Sequence, residues 1–316
     1  MSKSDATPKI GLALGSGASR GWSHIGIIKA LLHEDIEPDI ICGTSVGAMI
    51  GASYLTGNLE KLENWVLDST RTDVLKFFNV KLSRSGFVDS ERLSRFLHQN
   101  VAGQGIQIEN LSKPFSAIST DLESGREVWL QEGGLAAAIM ASMALPGLFP
   151  AVRHEHRWLV DGGLVNPVPI SVCRALGAEV VIAVNLNSDV IERRNRKKPA
   201  PAPDAKKGVL HNLKQTTLEY SNSIFSDNDK QEGPPGLFTS ITSSINIVQD
   251  RITRSRMAGD PAEVVLSPLL AHIGMLEFHR AAEAIEEGER CVHNALDEIR
   301  RVTGKNRRAE KAGELP

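Results

Sequence analysis

The sequence contains few cysteines and no pattern typical of a metal site. Its three cysteines, Cys42, Cys173 and Cys291, are far apart and odd in number, which argues against a disulfide scaffold and favours a reducing compartment. No pair of cysteines has the spacing of metal ligands, and no H-E-x-x-H pattern occurs. We therefore expect no bound metal.

Long apolar runs are also missing. The polar start "MSKSDATPKI" lacks the apolar stretch of a secretory signal. No run reaches the roughly 18 apolar residues of a membrane-spanning helix. We expect a cytoplasmic protein, and peripheral contact with the inner membrane face stays open.

Neither sign of charge dominates. The 36 Lys and Arg nearly balance the 38 Asp and Glu, so we expect no nucleic-acid partner. The chain of 316 residues, 41% of them hydrophobic, is typical of a packed domain. Nothing in the composition indicates a cofactor or sets the oligomeric state.

The first sixty residues alternate between buried-strand and helix patterns. Strands are predicted at 9–14 and 38–43, each followed by a helix, at 22–34 and 45–55. This order predicts an α/β fold with a parallel sheet. Further strands are predicted at 114–122, 126–131, 156–163, 179–186 and 262–268, and helices at about 59–69, 90–101, 134–143, 167–178, 209–224, 239–258 and 275–304, the last broken near Gly288.

The composition also predicts how the chain is organised. Residues 9–187 carry the motifs described below. Residues 188–208 contain five Lys or Arg among six positions, followed by alternating Pro and Ala, which predicts an exposed flexible loop. A solvated linker is the favoured role for its basic run, although it could also steer the protein to anionic lipid. Residues 209–304 are predicted to complete the domain, and 305–316 to form a disordered tail.

The segment "GTSVG" places Ser45 between Gly43 and Gly47, after a predicted strand and before a predicted helix. This context is typical of a nucleophile elbow, in which a sharp turn exposes the serine hydroxyl. The alternative is that Ser45 only caps the helix.

The segment "GSGASRG", residues 15–21, forms a glycine-rich turn after the first strand. Three interpretations remain open: backbone amides that hold an oxyanion, a pyrophosphate site, or a tight turn without ligand. The spacing differs from G-x-G-x-x-G. Arg20 could fix this loop or meet an acidic head group.

The segment "VDGG" places Asp161 before Gly162 and Gly163 at the end of a predicted strand. Asp161 could accept the proton of Ser45, or it could form an ordinary Asx turn. His24 could be proposed as a base instead, but its apolar neighbours favour a packed or capping role.

Together, in this order, the three motifs resemble the patatin-like phospholipase family, in particular its short bacterial RssA-type members. The resemblance covers residues 9–187 and includes "LALGSGASRGWSHIGIIKAL", "GTSVGAMIGA", "ALPGLFPAV" and "LVDGGLVNPVP". It implies a three-layer α/β/α fold with a mainly parallel central sheet, related to α/β-hydrolases. The C-terminal third is similar chiefly at "MLEFHRAAEAIEEG".

The resemblance also implies roles for particular residues. Ser45 would be the nucleophile and Asp161 the general base of a Ser–Asp dyad. The oxyanion hole would lie in the turn of Gly15, Ser16, Gly17 and Ala18, with Arg20, Gly21, Gly43, Gly47, Gly162 and Gly163 in support. The family usually has G-G-G-G-x-R-G here, so Ser16 and Ala18 depart from its pattern, which matters if those positions require positive φ.

The expected function is that of a serine hydrolase acting on acyl esters of lipids through an acyl-enzyme. A dry pocket, to which "ALPGLFPAV" would contribute, is expected to raise the pKa of Asp161. The alternatives are a regulator or adapter of the same fold with little turnover, a dinucleotide-binding enzyme, and acyl transfer to an acceptor other than water.

Overall fold

The structure, a computed structural model, describes residues 7–70, 73, 90–189 and 237–305. The predicted helix at 209–224, the basic run of the predicted loop and the tail after residue 305 lie outside these ranges. Within them, none of the helices combines the length and the apolar composition needed to cross a bilayer.

The described residues contain one eight-stranded sheet with the order β5-β6-β3-β2-β1-β7-β8, and β4 pairs with β3. Pairing is parallel from β3 through β2, β1 and β7 to β8, and antiparallel where β4 and β6 meet β3 and where β5 meets β6. The strands are β1 (Ile10–Leu14), β2 (Ile40–Thr44), β3 (Phe115–Asp121), β4 (Glu127–Leu130), β5 (Val152–His154), β6 (Arg157–Asp161), β7 (Val180–Val184) and β8 (Val264–Leu266).

Helices cover both faces of this sheet. Because side chains alternate along a strand, Leu12 and Ile41 join one core with α1 to α5 and α8, whereas Ala13 and Cys42 join a second core with α6. The predicted three-layer α/β/α fold is confirmed. The helices are α1 (Ser23–His33), α2 (Val46–Leu55), α3 (Leu59–Asp68), α4 (Ser90–Asn100), α5 (Leu135–Ser142), α6 (Ile170–Ala175), α7 (Leu237–Gly259) and α8 (Ala281–Thr303).

Two details of the sequence prediction were wrong. No strand was predicted between the helix at 134–143 and the strand at 156–163, but Val152–His154 form β5, which pairs with β6 as an antiparallel hairpin. Helix α8 begins at Ala281 rather than 275, after a short 3₁₀ turn at Phe278–Arg280, and continues through Gly288 without a break.

Gly288 lies where α8 crosses α1. A Cβ added to Gly288 would lie 2.1 Å from the carbonyl oxygen of Ser23, and one added to Gly26 would lie 2.0 Å from that of Ile285. The two helices therefore approach each other through glycines on both sides. The glycine that looked like a helix breaker is explained by close packing.

The decisive feature of the sheet is that two strands share one edge of β3. Ile118 pairs with both Thr44 of β2 and Trp129 of β4, whereas Ser119 pairs with both Asp161 of β6 and Val128 of β4. Since each strand has only two edges, β2 and β6 must lie on the same edge, end to end. The last residues of these two strands therefore meet.

Replacing Gly288 by alanine should lower the free energy of unfolding by about 1–3 kcal/mol, because the added methyl overpacks a backbone contact. A glycine-to-alanine change inside a helix would otherwise stabilise it, by up to about 1 kcal/mol. Gly259→Ala is the matched control, since a Cβ there meets nothing within 4 Å. Urea denaturation of both variants tests this, and an equal response of the two would contradict the packing explanation.

Candidate active site

Ser45 lies in a strained turn between β2 and α2. Its backbone has φ 58° and ψ −124°, a left-handed conformation that is costly for a residue with a side chain. Its carbonyl oxygen accepts from the amides of Ala48 and Met49 as α2 begins. The side chain makes no capping bond to the helix, so the capping interpretation is not supported by the geometry. This turn has the form of a nucleophile elbow.

Glycines allow the close approaches around this turn. Added Cβ atoms would lie less than 3 Å from neighbouring atoms at all five predicted supporting glycines. The distances are 2.3 Å from Val46 at Gly21, 2.4 Å from Ala48 at Gly43, 2.1 Å from Leu14 O at Gly47, 2.2 Å from Ile118 O at Gly162 and 2.4 Å from Gln249 Nε2 at Gly163.

Asp161 meets Ser45 across 116 residues of sequence. The hydroxyl of Ser45 donates to Oδ2 of Asp161 at 2.6 Å, a short distance typical of a hydrogen bond to a carboxylate. Oδ1 of Asp161 accepts from the amide of Gly163 at 2.7 Å, and Asp161 is almost completely buried. The carboxylate is thus held at one oxygen and directed at Ser45 with the other.

The surroundings of Asp161 make it a better base than an exposed aspartate. Burial raises the pKa of its carboxyl to about 6, although the hydrogen bonds from Ser45 and Gly163 act in the opposite direction. At neutral pH the group is therefore ionised, yet its pKa lies close enough to 7 for efficient proton exchange.

The turn at residues 15–18 lies beside Ser45, but its four amides are not equivalent. The amides of Gly15 and Ser16 donate to the carbonyl oxygens of Val184 and Pro167. Within the described part of the chain, those of Gly17 and Ala18 make no such bond. Only the amides of Gly17 and Ala18 are thus available to hold a ligand.

Arg20 fixes this turn from inside the protein. Its buried guanidinium donates to the carbonyl oxygens of Gly17 and Leu186 and to Oδ1 of Asn246 on α7, at 3.2–3.3 Å. Of its two predicted roles, the geometry supports the first, since a buried guanidinium cannot meet an exposed head group.

His24 has the predicted packed role. Its Nε2 lies 2.8 Å from the carbonyl oxygen of Gly15, to which it must donate. Burial lowers the pKa of His24 to about 4, opposed by the bond to Gly15, so the ring is neutral at pH 7. His24 therefore supports the glycine turn instead of acting as the base.

The segment before α8 holds the same turn from the other side. Ser19 donates its amide to the carbonyl oxygen of Met275 and its hydroxyl to that of Gly274, and Trp22 Nε1 donates to that of Phe278. This contact gives "MLEFHR" a structural role that its position in the sequence did not reveal.

Ser45 lines an apolar pocket. Leu145, Leu148 and Phe149 of "ALPGLFPAV" line it, as expected. Sequence reasoning missed the other walls, which come from α2 to α4 and from residues just before α1, just after α3 and α5 and just before α8. These residues are Trp22, Val46, Met49, Trp65, Val66, Ser69, Leu93, Phe96, Met143 and Phe278. A pocket with so apolar a lining suits an aliphatic chain.

Comparison with known proteins identifies the family. A family model described as patatin-like phospholipase matches residues 12–174, just over half of the chain. The chain belongs to the patatin-like phospholipase family.

Relatives of this patatin-like protein differ greatly in size. An uncharacterised NTE family protein of Mycobacterium bovis is 28% identical over an alignment of 345 positions. This alignment covers 93% of this chain and 93% of the relative. The patatin-like phospholipase domain-containing protein 6 of mouse is 31% identical over 187 residues, covering 57% of this chain and 14% of the mouse protein. A lysophospholipase of Aspergillus fumigatus is 29% identical over 194 residues, covering 57% of this chain and 12% of its own.

The departure of this patatin-like chain from the usual glycine turn has a local cost. Ala18 has φ 51°, whereas Ser16 is not in the positive-φ region. The left-handed conformation therefore falls on only one of the two substituted positions. Alanine there carries strain that glycine would not, of the order of 1 kcal/mol.

Asp161→Asn should make this patatin-like protein more stable at pH 7, by about 1–3 kcal/mol. The pKa of Asp161 is about 6 in the folded state and about 4 in the unfolded state. Between about pH 4 and pH 6 the folded state therefore binds more protons than the unfolded state. Wild-type stability therefore falls as the pH rises through this window, and asparagine removes that loss.

Urea denaturation of both proteins from pH 4 to 8 measures the effect. The difference in free energy of unfolding should grow up to about pH 6 and then stay constant. Asp297→Asn, on the exposed face of α8, controls for the change of side chain. A difference independent of pH would contradict the role of burial.

Proposed function

We propose that this protein is a serine hydrolase that cleaves acyl esters of lipids, of the phospholipase, lysophospholipase or esterase type. The observation that carries the proposal is the 2.6 Å hydrogen bond from Ser45 to the buried Asp161 at the wall of an apolar pocket. The relative from Aspergillus fumigatus, named a lysophospholipase, supports this substrate class.

In the acylation step, Oγ of Ser45 attacks the ester carbonyl carbon while Oδ2 of Asp161 takes its proton. The carbonyl electron pair moves onto oxygen and forms a tetrahedral intermediate. When that pair returns, the bond to the alcohol breaks, and the proton on Asp161 passes to the departing oxygen. The product is an ester between the acyl group and Ser45.

The developing negative charge needs donors placed in advance. We assign this role to the amides of Gly17 and Ala18, since those of Gly15 and Ser16 are already bonded to carbonyls. The N-terminus of α2, which follows Ser45 directly, adds a favourable dipole. Arg20 and His24 keep the turn in place without touching the substrate.

In the deacylation step, Asp161 takes a proton from water as the water oxygen attacks the acyl carbon. Collapse of the second intermediate releases the fatty acid and returns the proton to Ser45. The acyl chain occupies the pocket formed by α2 to α4 and the segment after α5, where its apolar surface leaves water. The apolar lining favours an aliphatic chain and leaves the head group unspecified.

Ser45→Ala should reduce hydrolysis of a long-chain lysophospholipid by at least about 10³-fold. Asp161→Asn should reduce it by about 10²-fold or more, because the general base is lost. A fluorophosphonate probe should add once to the wild type, not to Ser45→Ala and slowly to Asp161→Asn, as measured by intact mass.

Ser244→Ala, an exposed position on α7, is the matched control and should react like the wild type. Full hydrolysis by Ser45→Ala would overturn the mechanism. A folded wild type that neither labels nor hydrolyses would favour the regulator or adapter instead.

The reaction should depend on pH through Asp161. Only the ionised carboxylate accepts a proton, so kcat/KM should rise about tenfold per pH unit below pH 6 and level off above it. A soluble short-chain ester, assayed from pH 4.5 to 8 with folding followed by circular dichroism, tests this. A flat profile between pH 5 and 7 would exclude Asp161 as the base.

A further inference from the structure

The hydrogen-bond ladder between β2 and β3 is interrupted at Ser45, in the turn between β2 and α2. Ile41 of β2 donates its amide to the carbonyl oxygen of Pro114, just before β3. Donors in a parallel ladder recur every second residue. After Ile41, the next donors in a continued ladder would be the amides of Gly43 and Ser45. The amide of Ser45 would then donate to the carbonyl oxygen of Ile118.

The hydroxyl of Ser142 occupies this position. The amide of Ser45 donates to Oγ of Ser142 at 2.8 Å, and that hydroxyl donates to the carbonyl oxygen of Ile118 at 2.6 Å. The direction of both bonds is fixed, since an amide can only donate and a carbonyl can only accept. One hydroxyl is thus inserted into the ladder between the two strands.

This insertion explains how Ser45 leaves the sheet. A direct bond to Ile118 would keep Ser45 in the extended conformation of β2, whereas the observed φ is 58°. The inserted hydroxyl moves the amide away from β3 and still satisfies both buried polar groups. Ser142 is the last residue of α5 and is completely buried.

We propose that Ser142 is a positioning residue that separates β2 from β3 and holds the backbone of Ser45, so that its hydroxyl points at Asp161. This inference rests on the proposed function for its catalytic consequence, but the contact itself does not. Without the hydroxyl, the amide of Ser45 loses its partner at this position, and the turn is no longer held in place. The hydroxyl of Ser45 then turns away from the carboxylate.

Two substitutions and a matched control test the proposal. Ser142→Ala removes the hydroxyl, and Ser142→Cys keeps the shape of the side chain but offers only a weak donor and acceptor. Ser53→Ala makes the same chemical change at a buried serine on α2, whose hydroxyl has no partner within the described residues.

The rate of fluorophosphonate labelling at Ser45 and kcat should fall about 10- to 100-fold in both Ser142 variants. KM should remain unchanged, because the acyl pocket is intact. Ser53→Ala should behave like the wild type. Amide hydrogen exchange, resolved at Ser45 by fragmentation, should be about tenfold faster in Ser142→Ala than in Ser53→Ala.

Each outcome separates this inference from the proposed function. If a folded Ser142→Ala labels as fast as the wild type, the positioning role is overturned while the hydrolase stands. If the wild type does not react with the probe, the proposed hydrolase function fails. Amide exchange at Ser45 then tests the role of Ser142 by itself. Unchanged exchange would overturn the role of Ser142, and faster exchange would support it. If Ser142→Ala does not fold, Ser142→Cys is judged by the same measurements.

Discussion

The hydrogen bond between Ser45 and Asp161 depends on two strands that end on the same edge of β3. One strand brings a residue from position 45 and the other brings its partner from position 161, and they approach from opposite directions. The glycines around Ser45 allow the close approaches at this meeting point, while the buried Arg20 and the neutral His24 hold the neighbouring turn at residues 15–18. The position of Ser45 relative to Asp161 is therefore set by strand pairing in the sheet more than by a loop.

The proposed mechanism uses no histidine between Ser45 and the carboxylate of Asp161. In a Ser–His–Asp triad a histidine carries the proton, because its pKa lies near 7. Here burial alone brings the carboxyl of Asp161 near to that range. The cost is a charged group kept out of water at neutral pH, which is a common conflict between stability and activity at such sites.

Much of the fold was predictable from local patterns. The alternation of buried strands and helices up to Leu55 predicted the parallel sheet. The family resemblance carried by the three glycine motifs implied the three-layer fold and the pairing of Ser45 with Asp161. The three residues of β5 are too few to show a period, and Gly288 was misread because close helix packing and helix breaking look alike in a sequence. The walls contributed by Trp65, Phe96 and Phe278 were not predictable, since no local pattern brings α3, α4 and the segment before α8 together.

The segment from Ser142, the last residue of α5, to Leu145 combines two tasks in alternating residues. Ser142 and Ala144 face the dyad, the first through its hydroxyl and the second through a carbonyl oxygen that accepts from the amide of Asp161. Met143 and Leu145 line the apolar pocket. A substitution that reshapes the pocket at Met143 or Leu145 would therefore also disturb the backbone that holds Ser45 and Asp161.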